Sequence, residues 1–234
     1  MGKIDEIERQ FASPLGERDV AFTYLGYSGV IVRTANRTVV IDPADLLDTG
    51  AVKALEDVDL LLFTHSHRDH YNATTTQEIF EATGTPILTE SLVAEDLKAK
   101  ISRDKLIVAT PGTTYTFDGI RVQTIEGIHR GPINLYRIEM GGVSVFHGGD
   151  SGYVPVKDYS ADVAFLPTGS PSPTASPECA LNMTSELQSR FVALFHGSAD
   201  QCAEFVDKAK TAMPTTRVLT AKANVTQVVT IDKN

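Results

Sequence analysis

Thr64-His65-Ser66-His67-Arg68-Asp69-His70 follows directly on the apolar run Val58 to Phe63 and holds three of the six histidines in 234 residues. A run such as Asp59-Leu60-Leu61-Leu62-Phe63 reads as a buried strand, and sites in open α/β sheets lie at the carboxyl ends of strands. In an extended segment leaving that strand, His65 and His67 alternate with Ser66 and Arg68 and so face one side. Asp69 and His70 follow where the chain turns and address a second point a few Å away, which suits two adjacent metal ions. A single histidine is more often a surface or hydrogen-bonded core residue, and a short motif gains weight only from its context. Here the strand supplies that context.

Working outward, three further candidates each end or follow a strand beside glycine. His129 lies in Glu126-Gly127-Ile128-His129-Arg130-Gly131 after the expected strand Ile120 to Thr124. Asp150 lies in His147-Gly148-Gly149-Asp150-Ser151-Gly152 after Val143 to Phe146, and His196 precedes Gly197 after the run Val192 to Phe195. Glycine is expected where the backbone turns sharply and a ligand approaches.

His-x-His-x-Asp-His after an apolar strand, followed in order by these three residues, resembles the metallo-β-lactamase superfamily. Tyr24-Leu25-Gly26-Tyr27-Ser28-Gly29 and then Val39-Val40-Ile41-Asp42-Pro43 look like the family's opening hairpin with its strand-end aspartate. The resemblance covers roughly residues 20 to 210. It is nearest to the compact metal-dependent hydrolase branch that includes ascorbate-phosphate lactonase-like proteins. It implies an α/β fold, an αββα sandwich of two mixed sheets with helices on the outer faces. It also implies two divalent metal ions. His65, His67 and His129 would hold one, Asp69, His70 and His196 the other, and Asp150 would bridge them. Imidazole and carboxylate suit zinc, and a catalytic site keeps a position open for water. Zinc is the default, with Mn2+ or Fe2+ as alternatives, because ligand type alone does not choose among them.

A water between two cations loses a proton near neutral pH and becomes a nucleophile. Asp69 is the expected catalytic carboxylate, orienting that hydroxide and carrying a proton to the leaving group. The sixth histidine, His147, alternates away from Asp150 and is read as a hydrogen-bonded core residue or as a partner behind the ligands. Tyr71 and Arg68 stay outside the catalytic set, Tyr71 as a packing residue or an anion donor, Arg68 as solvated or meeting a substrate anion.

Composition fits one hydrolase domain spanning residues 1–234, at 42% hydrophobic residues. A net charge of −9 with no Lys/Arg block argues against nucleic acid. No run approaches the ~18 apolar residues of a membrane span, and Met1 to Gln10 has no apolar core of the secretory kind. A cytoplasmic location is expected, with a small-molecule substrate, no nucleic acid, no membrane, and a homo-oligomer left open. Cys179 and Cys202 lack C-x-x-C spacing and are expected as buried structural thiols.

Expected strands include Val20 to Leu25, Val30 to Thr34, Thr38 to Ile41 and Val163 to Leu166. Helices are expected over Thr76 to Ala82, Leu92 to Ile101, Glu178 to Arg190 and Asp200 to Ala209, with a hairpin-rich stretch from Leu106 to Phe146. Pro167 to Pro177 carries four prolines and no charge, so it is a loop. It lies between Asp150 and His196 and either connects elements at the surface or borders the pocket, with Ser176 or Pro177 starting the next helix. The expected function is hydrolysis of an ester, lactone or phosphodiester bond in a small metabolite. The alternative is a metal-binding or regulatory protein of the same fold without turnover, which the intact set of seven ligand positions disfavours.

Overall fold

The computed structural model describes residues 2–232. In chain order its first half holds α1 (Lys3–Ala12), β1 (Asp19–Gly26), β2 (Gly29–Arg33), β3 (Thr38–Ile41), α2 (Thr49–Lys53), β4 (Leu60–Phe63), α3 (Ala73–Thr83), β5 (Ile87–Thr89), α4 (Ser91–Leu97) and β6 (Leu106–Val108). The second half holds β7 (Thr114–Phe117), β8 (Ile120–Glu126), β9 (Asn134–Met140), β10 (Val143–His147), β11 (Val163–Pro167), α5 (Pro177–Leu187), β12 (Phe191–Phe195), α6 (Ala199–Ala212), β13 (Arg217–Leu219) and β14 (Val225–Thr230).

Two seven-stranded sheets result, ordered β14-β1-β2-β3-β4-β5-β6 and β13-β12-β11-β10-β9-β8-β7. Each is mixed in the same way. An antiparallel meander (β1 to β3, β7 to β10) passes into parallel strands (β3 to β6, β10 to β13). The inner parallel strands are short apolar runs buried on both faces, Leu60–Phe63 and Val163–Pro167 among them, as expected where helices cover the sheet. Phe22, Val32, Ile41 and Leu62 meet Val122, Ile138, Val145 and Phe165 between the sheets. Ile31, Val40, Leu61 and Phe63 face outward onto Ile7, Val52, Ile79 and Val93 of α1 to α4. Phe146, Ala164 and Val192 face Ala180, Met183 and Phe205 of α5 and α6. The layers are αββα, as the resemblance implies.

Element ends shift for local reasons. Helix α3 starts at Ala73, before Thr76, because the Asn72 side chain accepts from Thr75 N–H at 3.0 Å and caps it. Helix α5 stops at Leu187, short of Arg190, where Gln188 turns left-handed (φ 52°). Ser176 caps α5 and Pro177 occupies its first turn, as expected. Five elements have no counterpart in the sequence reading: α1, α2, β5, β13 and β14. No helix among the described residues is long and apolar enough to cross a membrane.

Candidate metal centre

The carboxyl ends of β3, β4, β8, β10 and β12 converge on one edge of the sandwich. Both sheets contribute there, tied by the Tyr136 hydroxyl donating to Phe63 O at 2.7 Å and Asn134 N–H donating to Thr64 O at 3.0 Å. Two groups of side chains form at this edge, His65, His67, His129 and Asp150 in one, Asp69, His70, His196 and Asp150 in the other. Within each, one donor atom per residue lies within 4.8 Å of all the others.

In the first group His67 Nδ1 lies 3.1 Å from both His65 Nε2 and His129 Nε2. In the second, Asp150 Oδ1 lies 3.0 Å from His70 Nε2 and 3.1 Å from His196 Nε2, and Asp69 Oδ2 lies 3.5 Å from His196 Nε2. Asp150 Oδ1 is buried at an angle that makes neither contact a hydrogen bond. His70 Nε2 and His196 Nε2 stand 3.4 Å apart. Ring nitrogens facing one another, with a buried carboxylate oxygen left unpaired among them, form a poor hydrogen-bond network, since a neutral imidazole carries only one N–H. As a donor set, five imidazoles and two carboxylates suit divalent cations. The residues therefore fit divalent metal, in two donor groups that share Asp150.

Three of the five rings, those of His65, His70 and His129, are held from behind. The Asp42 carboxylate, with no exposed surface, accepts from Thr64 N–H (2.8 Å) and the Thr64 hydroxyl (2.6 Å) and lies 2.8 Å from His70 Nδ1. The Ser28 hydroxyl lies 2.7 Å from the same nitrogen, and Thr64 Oγ1 lies 3.0 Å from His65 Nδ1. Thr174 Oγ1 meets His129 Nδ1 at 3.1 Å and donates to Asp150 O at 2.8 Å, beside the Ser172 hydroxyl donating to the same carbonyl at 2.7 Å. Such contacts fix ring orientation and the nitrogen left free to coordinate. Two of these residues take left-handed backbone, Asp42 (φ 47°) and His196 (φ 38°), a strain that persists only where the surroundings enforce it. For His196 they do, because Thr168 N–H and its hydroxyl both donate to His196 O, at 2.8 and 2.7 Å.

Charge within the metal-free cluster is divided. Burial, reinforced by the charge on His70, pushes His65 down to about 2. Burial also opposes a charge on His70, but Asp42 and Asp150 outweigh it and push that imidazole up to about 10. Asp150 overcomes its own burial through the His196 and His70 rings beside it and stays well below the usual carboxylate range.

The beta-lactamase superfamily domain matches residues 21–196. The chain belongs to that family. A UPF0173 metal-dependent hydrolase of Methanoculleus marisnigri is 30% identical over 167 residues, 63% of this chain and 67% of its own length. One from Thermus thermophilus is 27% identical over 196 residues, 76% of this chain and 83% of its own. Among solved structures, Igni18, a metallo hydrolase from Ignicoccus hospitalis, aligns with a TM-score of 0.77 at 25% identity, covering 92% of this chain and all of that one.

Several residues of this family member fall elsewhere than the metal edge. The Tyr71 hydroxyl donates to Asp96 at 2.6 Å and its ring packs edge-on against Phe63, which leaves it a packing residue. Arg68 is exposed. Cys179 and Cys202 are free and only partly buried, against the expectation of buried thiols, because both sit on helices at the outer layer. The proline-rich loop does border the centre, through Ser172 and Thr174. The sequence reading missed these two, together with Ser28 and Thr64. For Ser172 and Thr174 the available signal was two hydroxyls in a charge-free loop between two candidate ligands.

Proposed function

We propose that this chain is a metal-dependent hydrolase using two ions to cleave an ester, lactone or phosphodiester bond of a small metabolite. The observation that carries the reading is the pair of donor groups meeting at one buried carboxylate, Asp150. His65, His67 and His129 would hold one ion and Asp69, His70 and His196 the other, with Asp150 available to both. Zn2+ fits this nitrogen-rich set best, with Mn2+ or Fe2+ as alternatives. Bound divalent cations supply Lewis acidity and a deprotonated water at neutral pH.

The chain's own residues do the rest. Asp42, Ser28, Thr64 and Thr174 set the ring orientations from behind. The Asp69 side chain is 28% exposed, while His70, His196 and Asp150 are nearly sealed. It is thus the site carboxylate with access to solvent, suited to orient the attacking water and carry a proton to the leaving group. A net charge of −9 and the absence of a Lys/Arg block favour a small-molecule substrate over nucleic acid, and a cytoplasmic setting completes the reading.

The test is a panel of lactones, phosphodiesters, carboxylic esters and thioesters, assayed on metal-loaded protein with and without chelator. Chelator-sensitive turnover of at least one class is expected. A metal-loaded protein inert across the panel contradicts the hydrolase reading and favours a binding protein of the same fold.

A further inference from the structure

His147 ends β10 with no exposed surface and does not join either donor group. Both of its ring nitrogens are engaged. Nε2 lies 3.0 Å from Ser28 O, and Nδ1 accepts from Gly149 N–H at 3.2 Å. A carbonyl only accepts and an amide N–H only donates, so the ring must be neutral with its proton on Nε2. The ring plane is fixed by stacking on Phe195, at 5.2 Å between centroids and 18° between planes, and on Phe165 at 6.2 Å and 29°.

The two contacts lead to different metal-edge residues. Ser28 sits in the turn between β1 and β2, in the opposite sheet, and its hydroxyl lies 2.7 Å from His70 Nδ1. Gly149 directly precedes Asp150 and takes left-handed backbone (φ 50°), where a Cβ would come within 3.1 Å of Ile133 Cδ1 and Thr64 Cβ. From these contacts we propose that His147 is a positioning residue, one imidazole that spans the two sheets and sets Asp150 against His70. The inference rests on the two-ion reading above. It assigns no contact between His147 and either ion.

The experiment measures binding of Zn2+ and Co2+ to chelator-treated protein by competition with a chromophoric chelator, together with the Co2+ visible spectrum. His147→Phe keeps a ring between Phe165 and Phe195 and removes both hydrogen bonds. It is expected to weaken one of the two ions about 10- to 100-fold, the range for lost partners behind a ligand, and to alter the Co2+ spectrum. His147→Gln, which offers one donor and one acceptor, is expected to recover part of that affinity. Ser28→Ala should weaken the same ion, and adding His147→Phe to it should cost less than His147→Phe costs alone, because the two act along one path. A merely structural role would lower the melting temperature yet leave both affinities, the spectrum and additivity unchanged, and that outcome overturns the proposal. If His147→Phe does not fold, His147→Asn replaces it in the same comparison. Wild-type protein that binds fewer than two ions defeats the two-ion reading and this inference with it. Two ions in the wild type with unchanged variant affinities defeat this inference alone.

Discussion

Replacing Asp42 with Asn removes one negative charge from the most heavily bonded carboxylate behind the metal edge. Asp42 has no exposed surface and holds Thr64 N–H, the Thr64 hydroxyl and His70 Nδ1 at 2.8, 2.6 and 2.8 Å, with the Ser28 hydroxyl donating at a longer 3.4 Å. An amide can still accept from Thr64 N–H through its oxygen. Its NH2 group then faces the Thr64 hydroxyl and His70, where the carboxylate accepted. Breaking a buried charge pair by changing one partner costs about 3–5 kcal/mol, so metal-free Asp42→Asn should lose stability of that order in urea unfolding. Loss of a carboxylate behind a ligating histidine costs about 10- to 100-fold in metal affinity, which is about 1.4–2.7 kcal/mol. Titration of the chelator-treated variant with Zn2+ reads the second quantity directly. A variant within about 0.5 kcal/mol of wild-type stability, an ordinary surface-substitution effect, and with unchanged affinity would refute the role given to this carboxylate.

Other consequences are accessible to simple measurements. Tyr136→Phe leaves Phe63 O without its 2.7 Å donor in a fully buried position, and should cost about 1–3 kcal/mol in urea unfolding. Thr174→Val removes the hydroxyl beside His129 Nδ1, and should weaken metal binding about 10-fold with little change in stability. Metal-free protein should have a melting temperature that peaks near neutral-to-mildly acidic pH. His70, raised to about 10, contributes stability that is complete below its unfolded value near 6.5 and lost as pH rises through 10. His65, lowered to about 2, acts in the opposite sense and costs stability as pH falls below 6.5. A metal-free melting temperature that climbs steadily from pH 6 to pH 10 would contradict the charge assignment.

The metal edge was legible because its information is local. Each candidate residue follows a short apolar run, and His129, Asp150 and His196 also lie within two positions of a glycine, so strand, turn and donor can be read within about ten positions. The αββα layers were legible for the same reason, through runs such as Leu60–Phe63 and Val163–Pro167. What stayed hidden depends on partners far along the chain. Strand β14 pairs with β1 between Asp19 and Thr230, a closure across nearly the whole chain. Helix α1 buries Glu6 and Gln10 alongside Ile7, so its inner face does not read as apolar. Glu6 is there because its carboxylate accepts from Thr226 N–H and pairs with Arg9, and Gln10 because it accepts from the Thr23 hydroxyl. Ser28, Ser172, Thr174 and the two contacts of His147 belong to the same class. Ser172 and Thr174 signal only as hydroxyls in a charge-free loop, and most of the partners lie tens of residues away, with His147 and Ser28 meeting across the two sheets.

The central claim is that two donor groups share one carboxylate. Metal content of purified wild-type protein and of Asp150→Ala, measured after expression in metal-supplemented medium, tests it most directly. Close to two ions per chain are expected in the wild type, and loss of both in Asp150→Ala. A single ion in the wild type, or two retained in Asp150→Ala, would contradict it.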